Sequence, residues 1–415
     1  MNSRFHILVL TDFFFPDSMG GANKMSYYTA QGLVSRGHLV SVVTRRVREE
    51  LKDYESLEGI SIYRYDLHKK SLIDFAISAQ PRIKNIFDSL RSHPPGLPDC
   101  VIVHQPLVAM AFRNHSIIKD LPWLYNFHSP WGEEFMISIS HQGRNTSNPS
   151  LFLQHALRTW IEKSVLRRCQ KIITLSQFMR ERLKRIHNIS RTSLIIPGCV
   201  NTDIFFPSTD QASLRRQLGL PLNKILLFTV RNLRPRMGLM NLVTSLSDLN
   251  SLREKVHLVI AGKGHLAEKL KTRAVKQKVS DLITFTGHVS EEDLPQYYQA
   301  ADLFVLPTEY LEGFGMVTLE ALATGLPVIG TPVGATPEIL CHIGEEWLCR
   351  DSSSEALTSK ITERIEWLLT NPKQFETTRK QCRHTALEHY ALPRIIAQWE
   401  RECRALLSHE GGKPY

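Results

Sequence analysis

The chain has 415 residues, 42% of them hydrophobic and 22% charged, an ordinary globular balance with length enough for two cores rather than one. The apolar part of its first segment, "MNSRFHILVLT", is short, and no apolar run approaches the ~20 residues of a bilayer span, so neither a signal peptide nor a transmembrane helix is expected. The net charge of +10 sits in the first half: residues 1–200 hold 26 Lys and Arg against 16 Asp and Glu, residues 151–200 alone hold 10 against 2, and residues 201–415 hold 25 of each. Seven scattered cysteines contain no CxxC pair, so a disulfide framework or zinc site is not expected and a reducing cytoplasm is. The sequons at Asn114, Asn145 and Asn188 carry no weight without a secretory signal.

Short β-branched runs alternate with amphipathic helical stretches, the pattern of a parallel sheet with helices on both faces. In chain order the first-half strands are "FHILVL", "LVSVVT", "ISIYR", "CVIVH", "WLYNF", "KIITL" and "TSLIIP". Their near-continuous apolar character suits burial on both faces. "IPGCVNTDIFFPSTD" then breaks the rhythm with Pro, Gly, Asn and Asp, which places a hinge near residues 197–208. Beyond it come "KILLFTV", "KVHLVIAG", "LITFTG", "DLFVLP" and "PVIGT". Two similar α/β units, over 1–200 and 208–384, are expected to face a central cleft, with a C-terminal helix at about 385–408 packing back on the first.

In open α/β sheets, ligands bind beyond the carboxyl ends of the strands. Gly20 and Gly21 follow the first strand, and His128 follows "WLYNF". In the second half "RNLRPRMG" brings Arg231, Arg234 and Arg236, "GKG" brings Lys263, and "TEYLEGFGM" follows "DLFVLP". The stretch "EGFGMVTLEALATG" sets Glu312 and Glu320 around a glycine turn and a helix expected to start near Phe314–Met316 and to end at Gly325. The first turn of that helix offers unpaired N–H groups and a positive dipole end to a phosphate. The two carboxylates would repel a phosphate but suit the vicinal hydroxyls of sugars on either side of it. A sugar nucleotide has that layout.

These residues carry a resemblance. "EGFGMVTLEALATGLPVIGTPVGATPEIL" resembles the Glu-x7-Glu signature and following strand and loop of the retaining family 4 glycosyltransferases, which have the GT-B fold of two Rossmann-like, doubly wound parallel-sheet domains. "FFFPDSMGGANKMSYYTAQGLVSRGHLVSVVT", "IIPGCVNTDIFFP" and "DLPQYYQAADLFVLPTEYLEGFG" are similar to the family's Gly-Gly loop, interdomain segment and approach to the signature. The resemblance implies an N-terminal acceptor domain and a C-terminal nucleotide-sugar domain. Glu320 would bind the ribose, and Glu312 the transferred sugar. The amides of Phe314, Gly315, Met316 and Val317, with the Gly20-Gly21 loop, would meet the diphosphate or sugar, and His128 would lie beside the reacting sugar and acceptor. Retention of anomeric configuration is implied by the family alone.

One motif departs from the family. Its usual Arg-x4-Lys pair, which neutralises the diphosphate, falls gaplessly on Asn232 and Met237, whereas a shift of one residue puts it on Arg231 and Arg236. The leaving diphosphate needs a cation, and no Asp-x-Asp metal pair is present in the sequence. Arg231 and Arg236 are therefore expected to serve, with Lys263 a weaker candidate and no metal or cofactor. The expected partners are a nucleotide sugar and a hydroxyl acceptor. The basic 158–191 region is either a solvated face or a contact for an anionic membrane surface or phosphate-bearing lipid. Nucleic acid fits poorly, for want of an aromatic platform. The rival functions are a sugar-nucleotide hydrolase or epimerase of the same fold, and a non-catalytic sugar-nucleotide binder.

Overall fold

The computed structural model describes residues 4–66, 85–92, 96–140, 148–189 and 192–408. Most of the "SHQGRNTSNPS" segment, including Asn145, and the last two residues of the basic 158–191 region lie outside the described residues. The chain forms two compact units, the first made of residues 1–198 with 392–415, the second of Cys199–Ala391.

Unit 1 carries an eight-stranded sheet in the order β3-β4-β2-β1-β5-β6-β7-β8. Its strands are β1 (His6–Leu10), β2 (Leu39–Arg45), β3 (Tyr54–Leu57), β4 (Ile60–Tyr65), β5 (Cys100–Val103), β6 (Trp123–Phe127), β7 (Lys171–Thr174) and β8 (Leu194–Ile195). β1, β5 and β6 are buried along their whole length, as strands covered on both faces must be. All pairings are parallel except that of β3 with β4. β3 is absent from the sequence expectation. It exists because Glu58 (φ 50°) and Gly59 (φ 81°) form a two-residue turn with both φ values positive, which folds "YESL" back on "ISIYRY".

The helices of unit 1 are α1 (Gly21–Ser35), α2 (Pro106–Phe112), α3 (Trp131–Ser140), α4 (Pro149–Arg168) and α5 (Gln177–His187). Residues 85–92 are helical as well. Unit 2 has a five-stranded parallel sheet, β11-β10-β9-β12-β13, from β9 (Ile225–Val230), β10 (Val256–Ala261), β11 (Ile283–Gly287), β12 (Leu303–Leu306) and β13 (Val328–Gly330). Around it lie α6 (Gln211–Gln217), α7 (Leu239–Ser245), α8 (Ala267–Lys276), α9 (Leu294–Ala300), α10 (Met316–Ala323), α11 (Thr336–Leu340), α12 (Ser354–Thr370) and α13 (Pro372–Thr385).

The last helix, α14 (Leu392–Ser408), belongs to unit 1 and packs on α1. A Cβ on Gly32 would stand 2.4 Å from Cγ1 of Ile396, so glycine is what lets the two helices close. The expected helix over 385–408 is corrected. Residues Ala386–Tyr390 form a π-helical turn that continues α13, and Ala391 leaves the helix (φ −59°, ψ 134°). Pro393 has no N–H for a preceding carbonyl and is tolerated only in a first turn, so a new helix begins there. Among the described residues no helix is long and apolar enough to cross a membrane.

Candidate functional site

In unit 2 the site begins where the central strands end. Arg231 follows β9 directly, its N–H held by the Ala261 carbonyl of β10 at 3.0 Å. The side chain is buried, and its Nη2 donates to Glu312 Oε2 and, at 3.0 Å, to Thr308 Oγ1. Met237 Sδ packs 2.8 Å from the same Nη2. The Thr308 hydroxyl in turn donates to Glu312 Oε2 at 3.0 Å, and the Thr308 carbonyl accepts from Thr331 Oγ1 at 2.6 Å. Arg236 reaches the same loop, donating from Nη1 to the Leu311 carbonyl at 2.6 Å.

Burial alone would raise the Glu312 carboxyl. The charges of Arg231 and Arg236 and the bonds from Arg231 and Thr308 outweigh it and hold the group below its ordinary value, as a carboxylate. The backbone of Glu312 is fixed as well: its carbonyl accepts from Ala335 N at 3.1 Å, and a Cβ on Gly334 (φ 65°) would lie 1.9 Å from that oxygen. Only glycine fits there.

α10 starts at Met316 after Gly315, whose carbonyl accepts from Thr318 N at 2.8 Å. The N–H groups of Met316 and Val317 belong to its first turn, where an α-helix supplies no acceptor of its own. Phe314 is buried and meets Tyr390 edge-on, at 6.0 Å between centroids. Glu320 lies just beyond the first turn, 3% exposed, and its Oε2 accepts from Tyr298 Oη at 2.8 Å. Burial and the nearby Glu320 push the Tyr298 phenol far up, so it remains a donor.

The side chains of Arg231 and Arg236 reach the Glu312 loop, whereas Asn232 is exposed and Met237 is packed beneath Arg231. Lys263 is exposed, with its carbonyl holding Leu233 N at 3.0 Å. Arg231 Nε and Thr318 Oγ1 are buried with no hydrogen-bond partner among the described residues.

In unit 1, Gly20 (φ 150°) caps α1 and Gly21 is its first residue. Asn23 Nδ2 donates back to Ser18 O at 3.2 Å and shapes this turn. His128 stands at the end of β6, half-buried, with its Nε2 3.0 Å from Nδ1 of His104. His104 follows β5, is buried, and stacks on Trp399 of α14 at 6.1 Å. Desolvation lowers His128 to about 4, so its imidazole is neutral at pH 7. The loop after His128 is anchored by Glu162, which accepts from Trp131 N at 3.1 Å and bonds His187 Nε2 at 2.9 Å.

Thr308, Tyr298 and His104 escaped the sequence reading. Each is a lone polar residue just beyond a strand or inside a helix, and position after a strand is the one signal that marks Thr308 and His104.

Two family models cover most of the chain: Glycosyltransferase Family 4 over residues 19–204, and Glycosyl transferases group 1 over residues 210–388. An uncharacterized glycosyltransferase of Methanocaldococcus jannaschii is 28% identical over 79% of this chain and 80% of its own length. The GDP-mannose-dependent alpha-(1-6)-phosphatidylinositol monomannoside mannosyltransferase of Mycobacterium tuberculosis is 34% identical over 44% of this chain, which spans half the length of that relative. Among solved structures, Anabaena HepE in complex with UDP and glucose superposes with a TM-score of 0.74 at 16% identity, covering 97% of this chain and all of that one. The paired family models and the two parallel α/β units agree: the chain belongs to the family 4 type of glycosyltransferases and has the GT-B fold.

Proposed function

We propose that the protein moves a sugar from a nucleoside diphosphate sugar to an acceptor hydroxyl, with retention of anomeric configuration and without a metal ion. The observation that carries this reading is the convergence on one sheet end of unit 2 of Arg231, Arg236, Glu312 and the start of α10. In the reaction the anomeric carbon loses its bond to the diphosphate and gains one to the acceptor oxygen, and the acceptor proton leaves with the diphosphate. Negative charge grows on the leaving group. The two guanidiniums and the first-turn amides are suited to balance it, and Arg231 Nε and Thr318 Oγ1 are buried donors that an anionic oxygen would satisfy. Glu312 is assigned to hydroxyls of the transferred sugar, and Glu320, oriented by Tyr298, to the ribose. Neutral His128 and the Gly20-Gly21 turn are assigned to the sugar and acceptor, and Lys263 to a weaker contact with the diphosphate.

The GDP-mannose and phosphatidylinositol monomannoside in the name of the mycobacterial relative, and the UDP and glucose in the HepE complex, support a nucleotide-sugar donor and a lipid-linked acceptor. We place the enzyme in the cytoplasm, at the inner membrane face, with the basic 158–191 region turned toward anionic lipid. A panel of UDP- and GDP-sugars tests the donor by binding, and turnover with the best donor follows, with and without EDTA. One donor should bind and be consumed only when an acceptor is added. Consumption at full rate without acceptor would mean a hydrolase or epimerase, and binding without consumption a mere binder. A requirement for added metal would refute the metal-free mechanism.

A further inference from the structure

Ten basic residues fall in 151–200, but the fold uses several of them internally. Arg158 lies over the Phe135 ring at 3.8 Å, Arg168 donates to the Leu121 carbonyl at 3.1 Å, and Arg182 pairs with Glu133. Charge alone therefore overstates what this region presents. What α4 does present is apolar. Phe152 is 70% exposed, Leu153 69% and Trp160 55%, high values for side chains of this size in a helix that buries Leu151, Ile161, Val165 and Leu166 on its other side. At 100° per residue Phe152, Leu153, Ala156 and Trp160 fall on one face, and Lys163 and Arg167 continue that face toward the C-terminus. Of the two acids in 151–200, Glu162 points the other way and is buried with His187.

A helix face of apolar and aromatic side chains followed by cations matches a flat surface that is apolar within and anionic at its rim. Trp and Phe favour the headgroup boundary, and Lys and Arg the lipid phosphates. We infer that α4 lies on an anionic bilayer with Phe152, Leu153 and Trp160 inserted at the headgroup boundary and Lys163 and Arg167 on lipid phosphates. This rests on the membrane-facing reading above and adds to it the mode of contact, insertion rather than adsorption by charge.

The test uses full-length protein and vesicles of phosphatidylcholine alone or mixed with phosphatidylglycerol. The wild type should float with the mixed vesicles, part of it should stay bound at high salt, and the fluorescence lost in Trp160→Phe should shift to the blue on binding. Leu153→Ser with Trp160→Ser should cut the bound fraction on the order of tenfold while the circular dichroism spectrum stays unchanged. If the double variant floats like the wild type and salt removes both fully, insertion is wrong while electrostatic contact survives. No flotation of the wild type overturns both. A concentration-dependent dimer that the double variant abolishes, without vesicle binding, would assign the stripe to a second copy of the chain and overturn the inference.

Discussion

Arg231 and Glu312 are each under a tenth exposed, and each is the other's main countercharge. Removing one partner leaves a buried charge alone, which costs about 3–5 kcal/mol, whereas replacing both by apolar groups of like shape is nearly neutral. Arg231→Met should therefore lower the thermal midpoint of unit 2 sharply, and adding Glu312→Leu should recover much of it in the same melting experiment. Under the proposed function both variants should also lose turnover, because the departing diphosphate would lack the charge of Arg231. Arg236 has a backbone carbonyl as its partner, so Arg236→Ala should keep stability within about 1 kcal/mol yet cut kcat at least tenfold. Little change in kcat would remove Arg236 from the diphosphate site. His128 gives a pH prediction. Its folded value of about 4 lies below the ordinary 6.5, so the unfolded chain binds the extra proton first. Its contribution to stability is complete above pH 6.5 and is lost as pH falls toward 4. A 15N titration should show a neutral ring at pH 6 held in one tautomer, and His104→Leu should release that tautomer. A ring protonated near 6.5 would disprove the burial argument.

The parallel strands were legible because burial on both faces leaves near-continuous apolar runs, and β1, β5, β6 and β10 are such runs, each with at most one of His6, Asn126 and His257 in it. The start of α10 was legible from Gly315 and the helix-forming residues after it. β3 was hidden because its "YESL" is half polar and lies at the sheet edge, where only the Glu58-Gly59 turn announces it. Thr308 and Tyr298 were hidden for a different reason. Their roles depend on Arg231 and Glu320, partners 77 and 22 residues away, separations at which no local period operates. The same limit applies to Glu400 in α14, which accepts from Arg404 at 2.6 Å, pairs with Arg36 and lies 3.1 Å from His38 Nε2. Burial would raise its carboxyl, but bonds from Arg404, Arg36 and His38 lower it to about 2. A depressed carboxylate stabilises fully above its ordinary 4.5, and that contribution fades as pH falls toward 2. Hydrogen exchange in α14 should therefore quicken relative to β1 as pH drops through that window, after correction for intrinsic rates. Glu400→Gln should quicken it already at pH 7, and unchanged protection in that variant would show that apolar packing alone holds the helix.

At the scale of the whole chain, unit 2 is continuous and unit 1 is not. Val200 and Ala391 pair across a parallel bridge, so unit 2 begins and ends side by side, and the chain returns to unit 1 only through α14. That helix buries Ile395, Ile396, Trp399 and Leu406. Each such side chain is worth roughly 1.5–3 kcal/mol of burial, and together they approach the 5–15 kcal/mol that holds an ordinary domain. Trp399 also covers His104, so the loss reaches the His128 pair. A chain ending at Ala391 should consequently show unequal damage. Unit 2 should keep its melting transition and, under the proposed function, bind the donor nucleotide as the whole chain does, because every strand and helix of its own is still present. Unit 1 should lose its cooperative transition, become open to protease between Phe5 and Gly198, and take transfer activity with it. Calorimetry and limited proteolysis of the truncated protein read both halves at once. An intact unit 1 transition would mean that its eight-stranded sheet is stable without α14, and that the helix serves the site around His128 rather than the fold.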